Sequence, residues 1–212
     1  MIKKHIGIPA YLSSGMFGMN EAYMQYLSEF GGVHLITPDD GVLEKLDLLI
    51  LPGGRDIDTM RYNQKPGYTL GNPNPWFEWF DTVMLPRYIK AGVPIFGICR
   101  GLQTLNIHFG GTLEQNIIDH PTSGARDELV HTVMHPSQKK SGNKDMEVNS
   151  LHHQSVAILG ENLQVLLVSD EDHQVEAIRH LTLPISAVQW HPEEIRDDYS
   201  NKEITRLLNI TR

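Results

Sequence analysis

The chain is predicted to be an α/β protein with a mostly parallel sheet and helices on both of its faces. Three observations carry this. Strand-like and helix-like segments alternate through the first half, the pattern of strands joined by crossover helices. Leu46 to Leu51 is an almost unbroken apolar run, as expected of a strand covered on both faces. Cys99, the only cysteine in 212 residues, sits in Gly97-Ile98-Cys99-Arg100-Gly101 between an apolar run and a helical one, on a sharp strand-to-helix turn.

The elements follow in order. Lys4 to Ile8 reads as a short strand. Asn20 caps a helix from Glu21 to Phe30 that ends at Gly31-Gly32, since its side chain can accept from the first free helical N–H groups. Val33 to Ile36 is a second strand and Leu46 to Leu51 a third, broken by Pro52-Gly53-Gly54. A long helix runs from about Pro75 to Ala91, with proline in its first turn and Gly92 past its end. Val93 to Phe96 is the strand leading toward Cys99, and Leu102 to Phe109 the helix after it, stopped by Gly110-Gly111. The second half changes character. Leu129–Met134, Met146–Asn149, Gln164–Ser169, Gln174–Arg179 and Pro184–Gln189 are short β-like stretches separated by polar turns, read as hairpins added to the sheet. Tyr199 to Ile210 is a closing amphipathic helix, and 119–128 and 136–145 are loops.

Composition narrows the class. With 40% hydrophobic and 21% charged residues, a chain of this length can bury a sizeable core, and residues 1–212 are expected to form one domain. The net charge of −8 and the lack of any run of like charge argue against nucleic-acid or anionic-membrane surfaces. One cysteine excludes an intrachain disulfide and fits a reducing compartment. Two lysines near the start with no long apolar stretch after them do not make a signal peptide. A cytoplasmic protein is the expectation.

Cys99 carries the chemistry. A residue on such a turn adopts a strained backbone, and the flanking glycines remove clashes. Its side chain projects above the sheet at the positive end of the helix dipole, where a thiol tends to ionise to the nucleophilic thiolate. A thiol nucleophile needs a base, and the base needs an orienting partner. Val188-Gln189-Trp190-His191-Pro192-Glu193 supplies both in His191 and Glu193, with Pro192 stiffening the backbone between them. Gly53 and Gly54, at the end of a central strand, can present backbone N–H groups to a ligand. Gly54 N–H and the N–H of Arg100, next after the nucleophile, are the candidate oxyanion hole.

Five segments in this order resemble class I glutamine amidotransferases, and within them the γ-glutamyl hydrolase-like branch, peptidase family C26. They are Pro52-Gly53-Gly54-Arg55-Asp56-Ile57-Asp58, Gly97-Ile98-Cys99-Arg100-Gly101-Leu102-Gln103, Leu105-Asn106 with Gly110-Gly111-Thr112-Leu113, Val148-Asn149-Ser150-Leu151-His152-His153-Gln154, and Gln189-Trp190-His191-Pro192-Glu193. The elbow and the Asn-Ser-x-His-His-Gln segment look like the branch that includes γ-glutamyl-γ-aminobutyrate hydrolases. The resemblance implies a flavodoxin-like sheet and a Cys99–His191–Glu193 triad. It implies attack on the δ-carbonyl of a glutamine-like group, a glutamyl thioester on Cys99, and release of ammonia or an amine before water yields glutamate. It also implies that Gln103, Ser150 and the Leu151 backbone hold the glutamyl α-amino and α-carboxylate groups. Gly53 and His152 are taken with them as pocket residues, and the Arg100 side chain is a further candidate for an anionic group.

Two departures from that pattern bear on the leaving group. Pro75-Trp76 precede Phe77-Glu78 where the branch often has an Arg-Asp pair, and the chain is short around 119–145. Trp76 and Trp190 either line the leaving-group pocket or pack in the core. No cofactor is expected, and no metal: His131 and His135 lie four apart on a strand, where they do not converge, and no second cysteine is available. The expected partner is a small γ-glutamyl substrate. A second copy of the chain or a synthase is left open, so the alternative function is a glutaminase subunit feeding ammonia to a separate synthase. A non-catalytic binding domain on the same fold is the remaining reading.

Overall fold

A computed structural model describes residues 3–13, 15–40, 45–67, 71–137 and 146–210. The chain enters through β1 (His5–Pro9) and a small hairpin of β2 (Tyr11–Ser13) and β3 (Met16–Gly18). Then come α1 (Glu21–Ser28), β4 (Gly32–Ile36) and β5 (Leu48–Leu51). A long helical segment follows as α2 (Pro75–Trp79), a π-helical turn (Phe80–Met84) and α3 (Leu85–Lys90). β6 (Ile95–Ile98) leads into α4 (Arg100–His108). The second half contains β7 (Thr112–Glu114), β8 (His131–Met134), β9 (Met146–Val148), β10 (Ser155–Ile158), β11 (Leu163–Ser169), β12 (Val175–His180) and β13 (Ile185–Val188). It closes with α5 (Pro192–Ile195) and α6 (Asp198–Leu208).

One nine-stranded sheet runs in the order β4-β1-β5-β6-β13-β12-β11-β8-β9. The first five strands pair in parallel. The last four are joined to them and to one another antiparallel. The parallel half has the 2-1-3-4-5 order of flavodoxin-like sheets, confirming the expected fold class, and it accepts ligands outside the carboxyl ends of its strands.

The apolar run of β5 explains the layering. Successive side chains of a strand point to opposite faces. Leu48 and Ile50 therefore pack under Tyr23, Tyr26 and Leu27 of α1 and Ile204 and Leu207 of α6. Leu49 and Leu51 pack under Phe77, Phe80, Leu85 and Tyr88 of the long helical segment and Leu102 and Leu105 of α4.

The boundaries differ from the expected ones for identifiable reasons. Asn20 does cap α1, accepting from Ala22 N–H at 3.0 Å. β6 reaches Ile98, because it pairs with β13 up to Ile98 against Val188, and α4 starts at Arg100. The Pro75–Ala91 helix contains Pro86, which has no N–H to donate to the preceding turn; the wider π-helical turn sits directly before it. The hairpin β2–β3 and the pair β7–β10 were not anticipated. Of the expected loop at 136–145, residues 138–145 lie outside the described residues.

Candidate active site

Three neighbouring parallel strands end side by side. β5 runs into Pro52-Gly53-Gly54, β6 into Cys99, and β13 into Gln189-Trp190-His191. Residues far apart in sequence meet because their strands are adjacent, point the same way and stop at the same edge.

Cys99 adopts φ 50° and ψ −104°, a left-handed conformation uncommon for a residue with a side chain. Its N–H donates to Val188 O at 2.8 Å, so the strained residue is held by β13. The turn is possible because α4 lies hard against the sheet. A Cβ on Gly101 would sit 2.2 Å from Leu51 O, and one on Gly97 would sit 2.7 Å from the Gly101 carbonyl carbon.

Cys99 and His191 line the same pocket, and His191 Nδ1 meets Glu193 Oε1 at 2.6 Å. Pro192 starts α5 and fixes the turn that brings Glu193 back to the ring. The Glu193 carboxylate is fully buried, so its charge is felt strongly. Burial by itself pushes the His191 imidazole down. The charge of Cys99 and its hydrogen bond, with the hydrogen bond and charge of Glu193, outweigh burial and raise the ring to about 10. The arrangement favours imidazolium beside the Cys99 sulfur, with a carboxylate that fixes the tautomer.

The His191 backbone is clamped as well. Asn149 Oδ1 accepts from His191 N–H at 2.9 Å, and its Nδ2 donates to His191 O at 3.3 Å and Arg126 O at 2.6 Å. Across the cleft, Gly53 is held by two tyrosines. Its N–H donates to the Tyr23 hydroxyl at 2.9 Å, and Tyr11 donates to its carbonyl. Burial, with the negative charge of Glu193 next, pushes both phenols up, so both remain hydroxyls. A Cβ on Gly53 would meet His191 Cε1 at 2.7 Å.

A pocket of about 270 Å³ opens beside Cys99 and His191, with Tyr11, Tyr23, Arg126 and Leu151 among its walls. A second, of about 610 Å³, adjoins it through Tyr11 and Gly54 and includes Leu12, Arg55 and Trp76. Trp76 thus lines the outer pocket, whereas Trp190 is fully buried and donates to Asp197.

Several expected substrate contacts are placed elsewhere. The Arg100 guanidinium is buried against Glu78 Oε1 at 2.9 Å and Asp81 Oδ2 at 2.8 Å, and lies over the Phe77 ring. Its charge is already neutralised, so only its backbone remains a candidate group. Gly53 spends its N–H on Tyr23, which leaves the neighbouring N–H of Gly54 as the candidate donor of this loop. The Gln103 amide donates to Gln154 O at 3.2 Å and Gln189 Oε1 at 3.4 Å. It braces the strand ends and is not one of the pocket walls. His152 turns away from the pocket, with Nδ1 against Gln154 O at 3.0 Å. Leu151 does reach the pocket, and the buried Ser150 hydroxyl has no partner among the described residues.

Tyr11, Tyr23, Arg126 and Asn149 were not singled out. Tyr11 had a positional signal, since it follows the carboxyl end of β1. Asn149 stands in the Asn-Ser segment. Tyr23 and Arg126 carry no local signal.

The family profile of Peptidase C26 matches residues 6–193. A Mycobacterium tuberculosis protein named provisionally as a glutamine amidotransferase is 32% identical, over 91% of this chain and 70% of its own. The γ-glutamyl-γ-aminobutyrate hydrolase PuuD of Escherichia coli is 26% identical, over 88% of this chain and 82% of its own. Among solved structures, a glutamine amidotransferase from Thermotoga maritima superimposes with a TM-score of 0.64 at 15% identity, covering 98% of this chain and 89% of that one; that likeness is one of fold. The profile match runs from β1 to Glu193 and so takes in every strand end that converges on Cys99: the chain belongs to the peptidase C26 family of glutamine amidotransferase-like proteins.

Proposed function

We propose that the protein is a cysteine-dependent hydrolase of small γ-glutamyl amides. The observation that carries this is the single thiol, held at positive φ above the sheet in one pocket with an imidazole that is itself oriented by a buried carboxylate. Cys99 Sγ attacks the γ-glutamyl amide carbon, and the thiol proton resides on His191. Negative charge gathers on the carbonyl oxygen, where the backbone N–H groups of Gly54 and Arg100 receive it. Collapse of this adduct breaks the C–N bond as His191 protonates the leaving amine, leaving a glutamyl thioester on Cys99. His191 then takes a proton from water, which attacks the thioester. Glutamate leaves and the thiol is restored.

The inner pocket suits the glutamyl group and the adjoining larger pocket the amine. The E. coli relative is named for hydrolysis of γ-glutamyl-γ-aminobutyrate, so that compound belongs in the test.

The test is glutamate release from glutamine and from a panel of γ-glutamyl amides, with Cys99→Ala as control. Strong release from one amide, little from glutamine and none with Cys99→Ala is the expected result. Turnover that persists in Cys99→Ala overturns the assignment of the nucleophile. Weak release from glutamine alone points instead to a glutaminase that needs a synthase.

A further inference from the structure

His120, His131, His152 and Glu176 lie outside the proposed catalytic machinery, yet their side chains converge in the interior. His131 opens β8 and Glu176 is in β12, two strands away across β11. His120 comes from the loop after β7 and His152 from the loop after β9. Glu176 Oε1 lies 3.8 Å from His120 Nε2, 3.6 Å from His131 Nε2 and 3.7 Å from His152 Nε2. All four residues are buried. None of these Nε2 atoms has a hydrogen-bond partner among the described residues, and neither does either Glu176 oxygen.

The outer nitrogens sharpen the picture. His120 Nδ1 is 2.7 Å from Asp172 Oδ2, and His152 Nδ1 is 3.0 Å from Gln154 O. Both partners accept, so both Nδ1 atoms carry the proton and, in the neutral rings that bind a cation, both Nε2 atoms turn a lone pair inward. Two imidazole lone pairs thus face a fully buried carboxylate with no donor between them. Buried polar atoms are nearly always satisfied, and each exception calls for a reason. A single proton shared by His131 and Glu176 leaves the other two nitrogens unsatisfied.

We propose that His120, His131, His152 and Glu176 bind one divalent transition-metal cation of the zinc class. Three imidazole nitrogens and one carboxylate oxygen suit zinc in hardness and number. Tetrahedral bonds of about 2.0–2.1 Å hold ligand atoms roughly 3.3–3.4 Å apart; the donor atoms of His120, His152 and Glu176 already lie within 4.8 Å of one another, and His131 Nε2, 3.6 Å from Glu176 Oε1, moves in to complete the set. Asp172 and the Gln154 carbonyl are the outer partners that metal-bound histidines characteristically have. The cation ties the loop of Leu151, a wall of the candidate pocket, to β8 and β12. It takes no part in the proposed reaction, because all four donors come from the protein and none is Cys99 or His191. This reverses the expectation of a metal-free chain: the spacing of His131 and His135 is irrelevant when the ligands come from four separate segments.

The experiment uses the full chain, stripped with a chelator and then titrated with Zn²⁺ or Co²⁺. Metal content is read by mass spectrometry, geometry from the visible spectrum of the Co²⁺ form, and Tm before and after loading. The expected result is one ion per chain, a tetrahedral Co²⁺ spectrum and a higher Tm. His120→Gln and Glu176→Gln abolish uptake and the Tm rise, while His34→Gln and Cys99→Ala keep both. Cys99→Ala separates this site from the proposed catalysis, since it removes turnover but leaves metal uptake. Wild-type protein that takes up no stoichiometric metal overturns the proposal, whether or not the ligand variants fold, and so does uptake that survives in both ligand variants.

Discussion

At the residue scale, the arrangement depends on backbone held from outside the reacting groups. Gly53 has no room for a Cβ, which would sit 2.7 Å from His191 Cε1 and 3.1 Å from the Tyr23 hydroxyl. In Gly53→Ala the imidazole is displaced, and kcat is expected to fall by about 10²-fold, the cost of misplacing a reacting group by about 1 Å. Its Tm should move little by comparison, which a thermal melt beside the kinetic assay checks. Asn149 acts through the His191 backbone. Asn149→Ala leaves the buried His191 backbone groups unpaired, and about 2 kcal/mol of stability should be lost in urea unfolding, with kcat lowered as well. That Cys99, His191 and Glu193 meet was legible, because each stands in a short segment where a strand ends and a helix begins. Tyr23 and Arg126 were not, because they reach the site only through tertiary contact, and nothing within a few residues of either marks the encounter. The Arg100 side chain shows the opposite error: its place beside the nucleophile suggested a ligand for anions, but Glu78 and Asp81 had already claimed it.

At the scale of elements, that same arginine joins α4 to the long helical segment. Asp81 forms an ion pair with Arg100 at 2.8 Å and accepts from Arg61 at 2.8 Å and from Thr104 at 3.1 Å. It lies on the π-helical turn, whose wider coil is part of how it faces α4. Removing one partner of a buried ion pair leaves an uncompensated charge. Asp81→Ala should therefore cost about 3 kcal/mol in denaturant unfolding, with Glu78 still holding part of the guanidinium charge. The helices flanking the sheet and the doubly buried strands were readable from capping residues and apolar runs. The hairpin β2–β3 was not. Its three-residue strands are too short for an alternation to register, and Leu12, Met16 and Phe17 are exposed, so no burial pattern distinguishes them from a loop. Pro86 interrupts the hydrogen bonding of an otherwise helical stretch, and the π-helical turn is its local consequence.

At the scale of the whole molecule, the charge state of His191 links the site to stability. Its folded pKa, about 10, lies above the ordinary 6.5, so the folded chain binds a proton that the unfolded chain releases. Its contribution to stability is complete below pH 6.5 and is lost as pH rises toward 10. Melts across that range should show the wild type losing stability with a steeper slope than Cys99→Ala, which removes the strongest of the influences that raise the ring. Equal slopes would mean that no such coupling exists. The parallel half of the sheet was legible from the alternation of elements. The antiparallel half was legible only as added hairpins, because the sequence does not show that β12 and β11 continue the same sheet beyond β13. That order has a consequence for synthesis. β13 lies between β6 and β12 but leaves the ribosome long after β6. Until it arrives, β4-β1-β5-β6 and the antiparallel β12-β11-β8-β9 can form only as separate sheets, with β6 as an open edge and the proposed nucleophile at its tip, without His191. On the proposed mechanism the thiol is thus kept dormant by birth order, and the interval before β13 docks is when the chain is most exposed to sticking to its neighbours.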